Sequence, residues 1–503
     1  MKRILYSLLI SMSVLSGCSD EFLSTEDPNQ VTDDSYWTSE KDVKYAIYGC
    51  YDVLQRDALY GGGPYAPGFR DHDCLSDNSY NAWGWSGLQY ISVGSITTDH
   101  WLLLNFWSDN YAGIARANQL IANIPSVESL EEDVMNSYLA EARFLRALFY
   151  FNLANTFGDV PLILKPQKID EAHIAKSSKA DIYEEVIKDL QFAAEYAEAT
   201  DFGRVDKGAA YGLLTRVYLY DHQYSKAAEM AGEVMGLGYG LHGDYTNLFT
   251  IASEQSNEIV FSVLFESLMD GEGEKFSGTW AKNAQTHHQP MPNLVKDFYC
   301  TDGLPINVSP LFDPSKEQLN RDERLDVSVI FPGEVWFDGG APFNKAKSKT
   351  NYAMQKYIRR TTEDLTDGPQ DFYLIRYADV LLMRAEALIE DGETGQVVYD
   401  LINAVRERAN MPKIEDVEGS GLSQDQLRNI LRHERRVELA LEGFRYYDLK
   451  RWGKLQEGRE NAAADVIKIA YEPVYAGEKS LYWPIPQVEV DNNTELEQNP
   501  LWK

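Results

Sequence analysis

Two carboxylates on one helix face are the least a protein needs to cleave a glycosidic bond. Glu434 and Glu438, a turn apart in the run Glu434-Arg435-Arg436-Val437-Glu438-Leu439, make such a pair. Hydrolysis also requires one of the two to keep its proton, and Arg435, Arg436 and the nearby Arg445 would hold both ionised. The spacing instead predicts opposite charges pairing across a helical turn, joined by Arg445 and Asp448, to lock helices together. His287 and His288 are adjacent, so on a strand they face opposite ways, and no HExxH or comparable ligand set surrounds them. Asp270-Gly271-Glu272-Gly273-Glu274 gathers hard oxygen donors that suit Ca²⁺, but without EF-hand spacing it reads as a solvated loop. GxSxG and Walker patterns are missing from the sequence. The expectation is a protein with no catalytic residue and no cofactor, Ca²⁺ at the acidic loop being the one exception left open.

Binding chemistry is better equipped. A sugar offers an apolar face of C–H groups and a rim of hydroxyls, so proteins hold it with aromatic platforms and fixed polar partners. The stretch Phe69 to Tyr90, FRDHDCLSDNSYNAWGWSGLQY, places Trp83 and Trp85 on either side of Gly84. Arg70, Asp73, Asp77, Asn78, Tyr80 and Asn81 stand close by to bond hydroxyls. Trp280 and Trp336 lie on other loop-like stretches and complete the candidate ligand-binding set. Against this stands the reading in which one of the paired tryptophans only anchors its loop. Trp101 and Trp107 fall on an early helix and are expected in the core.

The elements that must position these residues are helices. Residues 137–157 carry Leu139, Ala142, Leu145, Phe149 and Leu153 at the three-and-four spacing of a helix with one buried face, ended by Gly158-Asp159-Val160-Pro161. A second amphipathic run covers 182–199. Residues 207–219 with 225–235, and 379–390 with 397–409, form two helical hairpins, and a long charged helix spans 425–442 before Gly443. Hairpins that recur along a chain stack to bury faces that none could bury alone. Residues 60–95, 240–300 and 301–371 lie between them and hold much of the Gly, Pro and Trp. The fold class expected is mostly all-α: a tetratricopeptide-like helical-repeat scaffold with long irregular ligand-binding loops.

The chain of 503 residues carries a net charge of −31, which opposes nucleic acid and anionic membranes as partners. Lys2 and Arg3 precede an apolar run from Ile4 to Leu15, about 12 residues where about 20 are needed to cross a bilayer. That is the layout of a secretory signal. Leu15-Ser16-Gly17-Cys18 resembles a bacterial lipobox, so residues 1–17 are expected to be removed and Cys18 lipidated, palmitate among its acyl chains. More than one chain on a residue gives stable anchoring where one does not. Cys50, Cys74 and Cys300 permit one disulfide at most.

Several blocks carry a more specific resemblance. Glu434 to Leu439 followed by Glu442-Gly443-Phe444-Arg445-Tyr446-Tyr447-Asp448-Leu449-Lys450-Arg451-Trp452 is similar to the signature of the SusD/RagB family of outer-membrane nutrient-binding lipoproteins. Asp27-Pro28-Asn29 with Tyr36-Trp37, Tyr111 to Asn118, Glu141 to Ala147 with Gly158 to Pro161, and Tyr482-Trp483-Pro484-Ile485-Pro486 with Gln498-Asn499-Pro500 resemble further family blocks in order. Ser19-Asp20-Glu21 looks like the acidic sequence that sends lipoproteins of the Bacteroidetes type to the cell surface. The resemblance implies about four tetratricopeptide-like helix pairs, a variable ligand-binding region and a SusC-like TonB-dependent transporter over which the lipoprotein acts as a lid. Residues 18–503 are then one unit, with a repeat-containing part at 18–240, a loop-rich insertion at 241–371 and a second repeat-containing part at 372–503. The expected function is capture of oligosaccharide at the outer membrane and its delivery to that transporter, without cleavage. Three alternatives stand beside it. Peptide capture would suit an acidic surface, a glycan-processing enzyme would have to use Asp71, Asp73 or Asp77 near Trp83, and a pure scaffold would leave the loop tryptophans unexplained.

Overall fold

The computed structural model describes residues 36–63, 66–82, 84–198, 201–267, 271–277, 288–335, 340–359, 367–465 and 473–503. Helix α1 (Glu40–Asp52) opens on Ser39, whose side chain and that of Asp42 cap each other's backbone. The long pair α2 (Trp101–Asn123) and α3 (Glu132–Phe157) follows, then α4 (Lys179–Tyr196), α5 (Lys207–Tyr220) and α6 (Tyr224–Met235). After a long excursion the chain returns with α7 (Tyr377–Glu390), α8 (Gln396–Arg408), α9 (Gln424–Glu438), α10 (Arg445–Arg451) and α11 (Leu455–Asp465). Each helix from α2 to α8 packs on the next, and α6 packs on α7, so the stack continues across the excursion. The tetratricopeptide-like scaffold is therefore present, with helix ends within a few residues of those expected.

Two helices differ from the sequence reading. Almost every residue of α3 from Tyr138 to Phe157 is buried, not one face alone, because α1, α2 and α4 enclose it. Helix α9 stops at Glu438; Leu441 (φ 66°) and Gly443 (φ 94°) then turn the chain back over the core. A Cβ on Gly443 would sit 2.5 Å from the Phe69 carbonyl oxygen, so only glycine passes here.

Strands are few and short. β1 (Ser79–Asn81) pairs antiparallel with β3 (His288–Pro290), β2 (Ile259–Val263) with β6 (Phe372–Arg376), and β4 (Val329–Ile330) with β5 (Ala353–Met354). β6 runs directly into α7, which ties the end of the excursion to the stack. A cluster of Leu294, Phe298, Val329, Phe331 and Met354 packs on Val437 and Leu441, seating the rest of the excursion on the end of α9. Cys50, Cys74 and Cys300 are buried free thiols, so the one disulfide their number allowed is not formed.

Candidate functional site

The charged signature at α9 is interior and pairs with other elements, not along its own helix. Glu434 meets Arg324 at 2.6 Å and Arg406 at 3.4 Å. Glu438 accepts from Arg324 at 3.0 Å and Arg376 at 3.0 Å, with Arg408 also bonded to it. Glu442 takes Arg376 at 2.8 Å and Lys356 at 3.0 Å. Arg435 bonds Asp448 at 2.7 Å and reaches Asp379, which also pairs with Arg216 at 2.7 Å. Burial alone would raise the Glu438 carboxyl, but Arg408, Arg376, Arg324 and Lys356 outweigh it and hold it well below the usual range. A carboxylate so held cannot donate a proton to a leaving group.

The same cluster claims most of the predicted sugar-binding loop. Residues Phe69–Leu75 form a tight 3-10 turn, and Arg70, Asp73, Asn78, Tyr80 and Asn81 are all at most 2% exposed. Arg70 donates to the Phe276 carbonyl at 3.2 Å and lies over its ring. Asp73 accepts from the backbone N–H groups of Leu441 at 2.7 Å and Arg445 at 3.1 Å, and from Asn78 at 3.3 Å. Asn78 accepts from Arg436 at 2.9 Å, and Asp77 sits between Arg436 and Arg445. Burial would raise Asp77, yet the two guanidinium groups bring it down to about 2. Tyr80 and Asn81 belong to β1. Asp73 and Asn78 therefore hold the signature in place, Arg70, Tyr80 and Asn81 are buried among other segments, and none of the five offers a surface to a sugar, a correction to their expected role. Asp73 has a carboxyl that burial pushes up to about 7, the one property an acid catalyst in this loop would need, but it is enclosed.

What reaches the surface is the turn beyond β1. Trp85 is 44% exposed at the tip of this turn, where Gly87 adopts φ 96° and leads into the short helix Leu88–Ser92. Gly87 packs against His100, whose Nδ1 accepts the Leu102 N–H at 3.2 Å and caps α2. The His100 ring lies 6.0 Å from that of Tyr90 and 5.4 Å from that of Trp101. Tyr90 and Trp101 are themselves 42% and 36% exposed, so exposed rings run from Tyr90 over His100 to Trp101, and Trp85 is exposed on the turn that leads into Tyr90. Trp101 was expected in the core with Trp107; only Trp107 is buried. The signal was present in the helical period. Leu102, Leu103, Phe106, Trp107 and Asn110 define the buried arc of α2, and Trp101 falls opposite it.

Trp83, Trp280 and Trp336 lie outside the described residues, as does Cys18. The described flank of the Trp280 stretch arrives nearby, because β1–β3 pairing sets Asn81 opposite His288. Asp270 of the acidic loop and His287 are also outside the described residues, and Glu274 is not solvated. It turns inward to accept the N–H groups of Phe276 and Ser277, each at 2.7 Å. His288 is buried 3.2 Å from Asp71. Among the described residues no group of three or more His, Cys, Asp or Glu side chains is arranged to hold a metal.

Comparison with known proteins places this geometry. The family model described as "SusD family" matches residues 248–502, and one described as "Starch-binding associating with outer membrane" matches residues 21–219. SusD-like protein P2 of Formosa agariphila is 28% identical, over 99% of both chains. A crystal structure of a SusD-like carbohydrate-binding protein from Bacteroides fragilis superposes with a TM-score of 0.79 at 28% identity, over 92% of this chain and 100% of its own. A laminarin-binding SusD-like protein superposes with a TM-score of 0.73 at 26% identity, over 92% of this chain and 100% of its own.

Proposed function

The chain belongs to the SusD family, and on that premise we propose that it captures oligosaccharide at the outer membrane and passes it to a SusC-like TonB-dependent transporter without cleaving it. The observation that carries this reading is the exposure of three large rings, Trp85, Tyr90 and Trp101, on the turn beyond β1 and the start of α2. Rings held half out of a folded surface lose little entropy on binding and match the apolar faces of pyranose rings. Trp83, Trp280 and Trp336 stay in this reading as further candidate stacking residues. Support also comes from the similar structure named for laminarin binding and from the matching model named for starch binding. Lipidation of Cys18 is the anchor in this reading, with the helical stack held above the membrane by the residues that follow it.

The test is calorimetric titration of the chain without residues 1–18 against laminarin, starch, further plant and host polysaccharides and a peptide mixture, beside a Trp85→Ala variant. Loss of a stacked indole should weaken glycan binding by about tenfold or more while the thermal midpoint is unchanged, and long incubation should release no sugar. Heat from peptides with silence from every glycan would replace the sugar reading by peptide capture, for which the charge of −31 would be the recruiting feature.

A further inference from the structure

Away from the aromatic face, α1, the turn at 201–204 and β2 enclose a cleft of about 620 Å³. Tyr48 and Phe202 stand at its mouth, 46% and 42% exposed, while Arg204 lies 5.9 Å from the Tyr48 ring. Its volume is in the range of ligand sites, and two exposed rings in a largely apolar lining that also carries Gln55, Arg204 and Ser262 are the equipment of a sugar subsite. The floor holds a second, independent sign. Ser262 is 3% exposed, lines both this cleft and an adjoining groove of about 370 Å³, and its hydroxyl has no hydrogen-bond partner among the described residues. A buried hydroxyl without a partner is costly unless a ligand or water supplies one, and a sugar hydroxyl can serve it as donor or acceptor.

The cleft is also joined to the aromatic face. Asp52 and Gln55 line both it and a polar trough of about 660 Å³ that reaches Asn105 and Asp109 on α2. Trp101, Asn105 and Asp109 are successive turns of one helical stripe, so the trough leads toward the Trp101 end of the aromatic face. Asp52 is fixed to Arg116 at 2.8 Å, which places the cleft about 22 Å along α2 from Trp101 at 1.5 Å per residue.

We propose that the cleft between α1 and β2 is a second carbohydrate subsite, which takes a distant stretch of the same chain held at the Trp85 face. The inference rests on the proposed function above. Arg204 is committed to the buried Glu141 at 2.9 Å and pairs with Asp201 at 3.5 Å, so its guanidinium is not spare for an anion, and Glu272 adds a further negative charge at the rim. The chain it fits is therefore a neutral polysaccharide, not a uronate or sulfated one.

Titration of laminarin and starch against their hexasaccharides tests this, using wild type, Trp85→Ala, Tyr48→Ala/Phe202→Ala and Ser262→Ala. Wild type should bind the long chain about tenfold or more tighter than the hexasaccharide, the gain of a second linked contact. The double variant should bring the long chain down to the affinity of the hexasaccharide, and Ser262→Ala should remove part of the advantage with the fold intact. An advantage that survives the double substitution, or a peptide that binds at Tyr48 and Phe202 in place of glycan, overturns the second subsite while Trp85-dependent hexasaccharide binding leaves the proposed function standing. Silence from every glycan overturns both.

Discussion

At Glu438 three arginines from three different parts of the chain converge on one buried carboxylate. Glu438→Gln would leave Arg324, Arg376 and Arg408 partly unpaired in the interior, a loss of about 3–5 kcal/mol. Urea unfolding near neutral pH should show it as a lower midpoint at unchanged slope, and a loss below about 1 kcal/mol would show the cluster to be dispensable. The residue types of this cluster were legible in the sequence, and so was its structural role. Most of its partners were not. Asp448 joins Arg435 as expected, but in place of pairing across a helical turn Arg435 also bonds Asp379, and Arg445 bonds Asp77. Asp77 and Asn78 looked like sugar ligands because nothing in their own neighbourhood shows that Arg436 will cover them.

Helix ends are written locally, and the stack follows its caps closely. Ser178, Asp206 and Ser423 each accept a backbone N–H at the start of α4, α5 and α9. The short strands escaped notice because two to five residues are too few to show a period of two. Close approach between helices is equally silent in sequence. A Cβ built on Gly113 of α2 would lie 2.2 Å from the Phe149 ring of α3, so these helices meet only because residue 113 has no side chain. Gly113→Val should force the pair apart at a cost of about 1–3 kcal/mol, read as a lower thermal midpoint. An unchanged midpoint would mean that Phe149 swings clear at no cost.

Across the molecule the acidic composition leaves a titratable junction where the excursion rejoins the stack. Glu254 accepts the Asp371 N–H at 2.8 Å, and Asp371 accepts the Phe265 N–H at 2.9 Å. Burial, and for Glu254 the charge of Asp371, push the two carboxyls up to about 8 and about 7. The folded state therefore binds more protons than the unfolded one between the usual carboxylate values and these. Stability from the pair is complete below about pH 4 and is lost as pH rises through 7 to 8. Hydrogen exchange at Phe265 and in β6 should accelerate between about pH 4 and 8 beyond the intrinsic rate, and Glu254→Gln should flatten that rise. A profile no steeper than that of α3 would show the junction to be insensitive.

Sequence alone determined the helical stack, the family resemblance and the chemistry of stacking on tryptophan, because helical periodicity, caps and motif blocks are properties of neighbouring residues. Tertiary structure decided which of those residues meet solvent. It drew Asp73 and Asn78 beneath a signature more than 350 positions away, buried Arg70, Tyr80 and Asn81, and turned Trp101 outward toward His100 and Tyr90. Whether a polar side chain faces a ligand or a buried guanidinium depends on which distant segment packs over it, and no local pattern contains that information.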